Sequence, residues 1–291
     1  MPTVRWPLAG VIFDLDGTLM RTQELQYDFH KYIGLHPLFG AMDAFPEKNE
    51  EFWTHYNAAY KNGGLSGLYS RYGNITAENF DQLYPAIEEE YATFIKHSAE
   101  SPTINVDGDD IADAVRHIWE RGGISDRRDT RVRLAVNTTK EKRNARALLE
   151  RAGLWKYFDT SVTYDDVVKY AANGEAKKHL KEFPDEVSVL RTFLSKDTLK
   201  SIEKPNALST LITLYRLGLP ADRVIVFEDT PAGVQSAKHI PFPHGLDDLF
   251  VIGVTWGFEK DPNVLRTAGA DEIITHPSQC VDIVERLGGF S

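Results

Sequence analysis

Two aspartates that could take part in catalysis, Asp14 and Asp16, follow the short apolar run Ala9–Phe13 and precede Gly17 and Thr18. Carboxylates two positions apart would project to the same side if the strand continued, and a glycine lets the chain turn sharply there. One carboxylate could attack phosphorus, while the other could protonate the leaving oxygen and later take a proton from water. The pattern therefore predicts phosphoryl-transfer chemistry, with Asp14 as the nucleophile and Asp16 as the acid/base.

A second acidic pair, Glu228 and Asp229, ends another apolar run, Val224–Phe227. A carboxylate that attacks a phosphate group is repelled by it, so such a site needs compensating positive charge. Mg²⁺, which prefers hard oxygen ligands, can supply that charge. We therefore predict that Glu228 and Asp229 join Asp14 in a Mg²⁺ site. The alternative is that the two acids only cap a helix, where negative charge is favoured.

A lysine and a run of hydroxyl side chains are the candidates for binding the phosphate group. Lys204, which precedes a predicted helix, could neutralise the non-bridging phosphate oxygens, and a hydroxyl after the run Leu134–Val136 could hydrogen-bond them. We favour Thr138 for the hydroxyl, with Thr139 and Asn137 as competitors and a simple helix N-cap as the alternative. Surface lysines are common, so Lys204 gains meaning only together with the aspartates.

These chemistry-bearing residues follow short apolar runs that are typical of buried strands. The runs alternate with amphipathic helical segments such as Asp109–Arg121 and Lys140–Arg151. Alternating strands and helices predict an α/β fold with a doubly wound parallel sheet, whose ligands bind beyond the carboxyl ends of the strands. The predicted strands are Ala9–Phe13, Leu134–Val136, Ser161–Thr163, Val224–Phe227, Val251–Val254 and Ile273–Thr275.

The stretch from about Thr22 to Ser101 has no clear strand, and its aromatic residues recur with helical spacing. This pattern indicates a small helical domain, inserted after the first strand, which could close over the site as a lid. We therefore divide the chain into a core domain, residues 1–21 and 102–291, and a helical cap domain, residues 22–101. A further charged segment, Lys169–Ser201, looks like an addition to the core.

The composition excludes several classes of protein. With 33 basic and 43 acidic residues among 291, the formal charge is −10, which argues against nucleic acid as a partner. No apolar run approaches the ~18 residues of a membrane helix, and the first residues lack the order of a signal peptide. The single cysteine, Cys280, allows no intramolecular disulfide. We expect a cytoplasmic monomer or homodimer that acts on a small phosphorylated metabolite and binds neither nucleic acid nor membrane.

The same segments resemble the four motifs of the haloacid dehalogenase-like hydrolase superfamily. In motif order they are Asp14–Leu19, Leu134–Thr139, Lys204-Pro205 and Val226–Val234. The similarity is to the branch that includes phosphoglycolate phosphatases and β-phosphoglucomutases, and it covers roughly residues 8–20 and 104–287. It implies a Rossmann-like core with a helical cap, and a phosphatase that works through an aspartyl-phosphate with Mg²⁺ as its cofactor.

The resemblance also implies that the backbone carbonyl of Asp16 is a Mg²⁺ ligand, together with the side chains of Asp14 and Asp229. The nearest alternative activity is a phosphomutase of the β-phosphoglucomutase type, in which the same intermediate passes its phosphoryl group to a sugar. Dehalogenase relatives lack the second aspartate, so Asp16 argues against that activity. A catalytically silent binding protein on this fold is the remaining alternative, and the joint presence of all the motif residues argues against it.

Overall fold

The chain forms two compact units, Met1–Arg21 with Ser101–Ser291 and Thr22–Glu100. The computed structural model describes residues 8–36, 39, 43–72, 75–76, 78–97, 102–121, 131–172, 204–240 and 249–288. Of the predicted addition Lys169–Ser201, only residues 169–172 are among the described residues. Within the described ranges, no helix combines the length and the apolar character that crossing a bilayer requires.

The first unit is built on a six-stranded sheet in which every neighbouring pair of strands is parallel. The strands are β1 (Gly10–Phe13), β2 (Arg133–Asn137), β3 (Thr160–Val162), β4 (Val224–Glu228), β5 (Phe250–Val254) and β6 (Glu272–Ile274). They lie in the order β3-β2-β1-β4-β5-β6, which is that of a Rossmann-like doubly wound sheet. The predicted fold class is therefore confirmed, and each strand end lies within one residue of its predicted position.

The described residues form ten α-helices, of which the first three belong to the second unit. They are α1 (Thr22–Leu35), α2 (Glu50–Tyr72), α3 (Phe80–His97), α4 (Ile111–Arg121), α5 (Lys142–Arg151), α6 (Tyr164–Ala172), α7 (Leu208–Leu217), α8 (Pro231–Lys238), α9 (Pro262–Ala268) and α10 (Gln279–Gly288). Helix α4 begins two residues later than predicted, because Asp109–Asp110 pair with Asn105–Val106 in a short antiparallel hairpin. Helix α5 also begins two residues after Lys140, the predicted start.

Strands β1 and β4, which lead to the candidate site, lie in the middle of the sheet and are fully buried. Strand β1 is hydrogen-bonded to β2 on one side and to β4 on the other. The rings of Phe13 in β1 and Phe227 in β4 stack with centroids 4.9 Å apart, and both side chains are inaccessible to solvent. Truncating a ring buried in this way costs about 3–5 kcal/mol, so the packing fixes the ends of these two strands relative to each other.

The second unit is helical, and aromatic side chains form its core. Tyr27 from α1 packs with Phe52, Tyr56, Leu68 and Tyr72 from α2 in one buried cluster. The apolar residues that the sequence spaces at helical intervals are thus directed to one interior, which is the usual arrangement of an amphipathic helix in a globular unit.

Helix α2 is not straight. The ring centroids of Phe52 and Tyr72 lie 5.4 Å apart, although twenty residues of a straight helix would separate them by about 30 Å. The rings of Tyr56 and Tyr72 are also in contact, at 6.3 Å. The element therefore turns back on itself, and Gly63 and Gly64 lie midway between Tyr56 and Tyr72 in sequence. Glycine is one of the residues at which helices bend sharply.

Candidate active site

The candidate site residues of the first unit follow three adjacent strands. Asp14 comes directly after β1, Thr138 directly after β2, and Asp229 directly after β4, whose last residue is Glu228. Because the three strands are parallel neighbours, their carboxyl ends meet at one edge of the sheet. That edge includes the point between β1 and β4 where the strand order reverses, and ligands of doubly wound sheets bind there.

The ammonium group of Lys204 lies at the centre of this edge. Its Nζ atom donates hydrogen bonds to Oδ1 of Asp14 at 2.5 Å, to Oε1 of Glu228 at 2.7 Å and to the backbone carbonyl of Asn137 at 3.1 Å. The three acceptors come from β1, β4 and β2, so one side chain joins the ends of all three strands. Both ion pairs are buried, with the Lys204 side chain 8% exposed.

Asp14, Glu228 and Asp229 form a buried acidic cluster, in which one carboxylate oxygen from each residue lies within 4.8 Å of the other two. The Oδ2 atom of Asp229 accepts a hydrogen bond from the backbone N–H of Phe258 at 2.7 Å. The Oε2 atom of Glu228 is buried and has no hydrogen-bond partner among the described residues. A buried carboxylate oxygen without a donor is costly, so this atom indicates a place for a further positive group.

The acidic cluster has perturbed ionisation. Burial raises the pKa of the Glu228 carboxyl well above its usual range, although the nearby Lys204 charge opposes the shift. Burial and then the charge of Asp14 raise the pKa of Asp229 well above its usual range. Burial likewise raises the pKa of Asp14, again against the pull of Lys204. These carboxyl groups are therefore short of positive charge in the absence of a cation.

The pKa of Lys204 is shifted upwards, the direction expected for a paired ammonium. Burial alone would lower its pKa, but the charges of Asp14 and Glu228 outweigh burial and raise it. The pKa values of the lysine and of its acidic partners thus all rise, which an isolated pair would not show. The reason is that burial, the largest cause for each carboxyl group, outweighs the opposing charge of Lys204, whereas for Lys204 the charges of Asp14 and Glu228 outweigh burial.

This donor set fits a divalent cation. Three buried carboxylates and one ammonium leave two negative charges uncompensated, and every available ligand atom is an oxygen. Hard divalent cations such as Mg²⁺ bind carboxylate and carbonyl oxygens in preference to other groups. The Oε2 atom of Glu228 adds an acceptor for which the described part of the chain offers no donor. The cluster could therefore hold a metal ion.

Three glycines give the acidic cluster the space that it occupies. A Cβ atom at Gly17, where φ is +83°, would lie within 2.0 Å of Oδ2 of Asp229, and one at Gly257 within 2.2 Å of the same atom. A Cβ atom at Gly233 would lie within 1.9 Å of Oε2 of Glu228. A side chain at any of these positions would displace a carboxylate, so the glycines are part of the construction of the site.

Asp16 lies apart from the acidic cluster and contacts the loop that follows β2. Its Oδ1 atom is 3.1 Å from Nζ of Lys140, a close ion pair whose angles are not those of a directed hydrogen bond. Its Oδ2 atom accepts a hydrogen bond from Oγ1 of Thr138 at 3.4 Å. Thr138 is buried, whereas Thr139 is exposed. None of the contacts described for this edge of the sheet involves Thr139.

The structure therefore brings together most of the residues that the sequence singled out, and adds several that it did not. Asp14, Lys204, Glu228 and Asp229 share the acidic cluster, and Asp16 and Thr138 contact each other beside it. The sequence analysis did not identify the Lys140 side chain, the Asn137 carbonyl or the Phe258 N–H. Backbone groups carry no signature in the sequence, and a lysine near a helix start is an ordinary surface residue in most proteins.

Comparison with known proteins relates the whole chain to one group of enzymes. A family model described as haloacid dehalogenase-like hydrolase matches residues 8–183. The phosphorylated carbohydrates phosphatase of Thermotoga maritima is 24% identical over 281 residues, covering 96% of this chain and 100% of that protein. Pyrophosphatase PpaX of Halalkalibacterium halodurans is 29% identical over 167 residues, which span 57% of this chain and 64% of that one.

Solved structures share the arrangement of the chain. CbbY from Rhodobacter sphaeroides in complex with phosphate matches with a TM-score of 0.57 at 19% identity, over 94% of this chain and 99% of that chain. The β-phosphoglucomutase (pgmB) of Clostridium difficile matches with a TM-score of 0.57 at 13% identity, over 97% of each chain. Likeness at such low identity shows the fold, and it agrees with the strand order found here.

Proposed function

Because this chain belongs to the haloacid dehalogenase-like hydrolases, we propose that it is a Mg²⁺-dependent phosphatase of small phosphorylated metabolites, with Asp14 as its nucleophile. The observation that carries the proposal is the buried contact of Lys204 with both Asp14 and Glu228, at the edge where the ends of β1, β2 and β4 meet. Burying a carboxylate and its ammonium partner beside two further acids contributes little to folding stability or lowers it. Ionisable groups with perturbed pKa values are concentrated at functional sites.

In the first step, the Asp14 carboxylate attacks phosphorus and the bond from phosphorus to the ester oxygen breaks, which leaves an aspartyl-phosphate on Asp14. Asp16 gives its proton to the departing oxygen. Lys204 and the hydroxyl of Thr138 bind the non-bridging phosphate oxygens, whose charge is redistributed in the transition state. Thr139, which is exposed, is the weaker of the two threonine candidates for this contact.

In the second step, water attacks the aspartyl-phosphate, Asp16 takes a proton from that water, and phosphate leaves with Asp14 regenerated. A Mg²⁺ ion held by Asp14, Asp229 and the Asp16 carbonyl, with Glu228 beside them, would supply the positive charge that offsets repulsion between carboxylate and phosphate. The unpartnered Oε2 of Glu228 and the uncompensated charge of the cluster support this assignment.

We propose a phosphorylated carbohydrate as the substrate class. The support is the full-length similarity to the phosphorylated carbohydrates phosphatase of Thermotoga maritima. The helical unit Thr22–Glu100 is the proposed cap, because it is inserted into the chain directly after the loop that carries Asp14 and Asp16. An inserted domain at that point is suited to selecting the part of the substrate beyond its phosphate.

The proposed setting is a reducing cytoplasm, in accordance with the single cysteine, Cys280. The protein would act there on its metabolite as a monomer or homodimer, without nucleic acid or membrane as a partner. The formal charge of −10 supports the exclusion of nucleic acid.

The test is a panel of phosphate esters assayed for phosphate release with Mg²⁺ present. The panel contains hexose and pentose phosphates, glycerol phosphate, phosphoglycolate, pyrophosphate and p-nitrophenyl phosphate. We expect phosphate release that is fastest with a phosphorylated sugar and is stopped by EDTA. Conversion of one sugar phosphate isomer into another, without release of phosphate, would instead identify a phosphomutase. An absence of both reactions across the panel would refute the proposal.

A further inference from the structure

We propose that Lys140 is a positioning residue for this reaction, which holds the Asp16 carboxylate in the orientation that proton transfer requires. The inference rests on the proposed function, in which Asp16 is the acid/base. The Nζ atom of Lys140 lies 3.1 Å from Oδ1 of Asp16, and the two side chains are only 11% and 22% exposed. An ion pair sheltered in this way is weakened less by solvent and salt than a surface pair.

Both oxygens of Asp16 are contacted by the loop after β2. Lys140 faces Oδ1, while Oγ1 of Thr138 donates to Oδ2 at 3.4 Å. The backbone N–H of Lys140 donates in turn to Oγ1 of Thr138 at 3.0 Å. These three residues thus form a closed ring of contacts that limits rotation of the Asp16 carboxylate. An acid/base that must serve two successive steps gains from being held near its productive geometry.

The main chain of Lys140 makes the hydrogen bonds that hold the loop, whereas its side chain contacts Asp16. Its N–H bonds to Thr138, and its carbonyl accepts a hydrogen bond from the backbone of Tyr164 at 3.1 Å. Both bonds persist when the side chain is replaced. Removal of the ammonium should therefore release Asp16 without releasing the loop.

Lys204 and Lys140 each contact a different aspartate of the loop that follows β1. Lys204 contacts Asp14 and Glu228, whereas Lys140 contacts Asp16. If Lys140 served mainly to bind the substrate phosphate, its loss would affect every phosphate ester alike. If it acts through Asp16, its loss should matter most for esters whose leaving oxygen needs a proton.

The experiment compares Lys140→Met with wild type on two esters, p-nitrophenyl phosphate and the alkyl phosphate that the wild type hydrolyses fastest. Nitrophenolate leaves readily without protonation, whereas an alkoxide does not. We expect kcat/KM with the alkyl phosphate, which reports the step in which the ester bond breaks, to fall about 100-fold, the scale of general acid catalysis, while kcat/KM with p-nitrophenyl phosphate falls far less. The inhibition constant of inorganic phosphate should be unchanged, and Lys140→Arg should recover most of the lost kcat/KM.

The matched control is Lys142→Met, since Lys142 lies two residues further along and is exposed; its kcat with both esters should equal that of wild type. A double-mutant cycle adds a direct test of coupling. In an Asp16→Ala background, Lys140→Met should cause little further loss with the alkyl phosphate, the ester on which it costs most in the wild-type background, because the group through which it acts is already gone. Circular dichroism checks folding, and Lys140→Gln replaces Lys140→Met if that variant does not fold.

Equal losses on the two esters, a weaker inhibition by phosphate, or a full additional loss in the Asp16→Ala background would each overturn the positioning role. Failure of the proposed function has a different outcome, in which the wild type releases phosphate from neither ester or Asp14→Asn remains active. That result would remove the positioning role together with the reaction on which it rests.

Discussion

The Nζ atom of Lys204 lies 2.5 Å from Oδ1 of Asp14, although the two residues are 190 positions apart in the sequence. The contact forms only when the turn before α7 reaches the end of β1, so it depends on the folded sheet as a whole. The same ammonium is 2.7 Å from Oε1 of Glu228. Among the described residues, Lys204 is therefore the one cation that contacts the buried acidic cluster, and its removal should lower stability as well as activity.

Replacement of Lys204 by Met should destabilise the protein by roughly 3–5 kcal/mol, the cost of leaving buried charge uncompensated, and abolish activity. Mg²⁺ should restore part of the lost stability, because the cation binds the same carboxylates. Urea denaturation with and without Mg²⁺ measures both effects. The control is Arg146→Met, which breaks an exposed pair with one acid, Glu150, and should cost less and not respond to Mg²⁺. An equal cost for both variants would contradict this account.

Asp14→Asn should lower kcat on the order of 10⁴-fold or more, the scale of losing a nucleophile. Its thermal stability should equal or exceed that of wild type, since burial and the neighbouring acids disfavour the charged form of Asp14. Calorimetry and a phosphate-release assay on the same preparation test both statements. A variant that is inactive because it has unfolded, or that retains ordinary turnover, would refute the assignment.

Mg²⁺ should stabilise the wild type, by about 2.7 kcal/mol when its concentration is 100 times the dissociation constant. Asp229→Asn should lose this response together with activity, because Asp229 contributes to the acidic cluster. Its amide oxygen can still accept the Phe258 N–H bond that the carboxylate now accepts. Asp113→Asn, at a 70% exposed acid paired with Arg116, should respond to Mg²⁺ as wild type does. Equal thermal shifts in all three proteins would exclude the cluster as the metal site.

Gly233→Ala should reduce both stability and activity, although alanine favours a helix by about 1 kcal/mol over glycine. The added methyl group would lie within 1.9 Å of Oε2 of Glu228, so it must displace a buried carboxylate that also binds Lys204. Melting temperature and kcat with p-nitrophenyl phosphate measure the effect. A more stable and fully active variant would show that the carboxylate has room to move.

His30, in the helical unit, should make stability depend on pH. Its ring is buried beside Tyr56, with Nε2 3.3 Å from the tyrosine hydroxyl, and burial lowers its pKa from 6.5 to about 3. As the pH falls below 6.5, the unfolded chain therefore binds the proton while the folded chain does not. The contribution of His30 is fully favourable above pH 6.5, and it is lost towards pH 3 by about 1.4 kcal/mol per pH unit.

Denaturation curves of wild type and His30→Phe at pH 7.5, 6.0 and 5.0 isolate this contribution. The difference in unfolding free energy between the two proteins should shift in favour of His30→Phe as the pH falls, since phenylalanine binds no proton. A difference that stays constant across this range would show that His30 binds its proton at the same pH in the folded and unfolded states, and so would contradict the lowered pKa.

The strand ends could be located from the sequence because a buried strand followed by polar residues is a local pattern. Asp14, Thr138 and Asp229 each follow such a run, and parallel neighbours place their carboxyl ends together. The Phe258 N–H and the contact between Lys140 and Asp16 could not be predicted in this way. Both depend on where distant loops meet, and neither a backbone donor nor a lysine near a helix start differs in sequence from its ordinary counterparts.

The reversal within α2 could not be predicted either. The spacing of apolar residues shows which side chains share a face of a helix, but it does not show where the helix axis changes direction. The glycine pair Gly63-Gly64 is also typical of a surface loop. The contacts of the Tyr72 ring with those of Phe52 and Tyr56 reveal that the two halves of the element lie against each other.

The central position of β1 has a consequence for how the enzyme loses activity on heating. Amides of inner strands, which are bonded on both sides, exchange with solvent mainly through global unfolding, and β1 has neighbours on both of its edges. Asp14, the proposed nucleophile, directly follows this strand, so we expect it to be anchored to one of the slowest-exchanging parts of the protein. Inactivation by heat should coincide with cooperative unfolding of the sheet, even if the helical unit unfolds at a lower temperature.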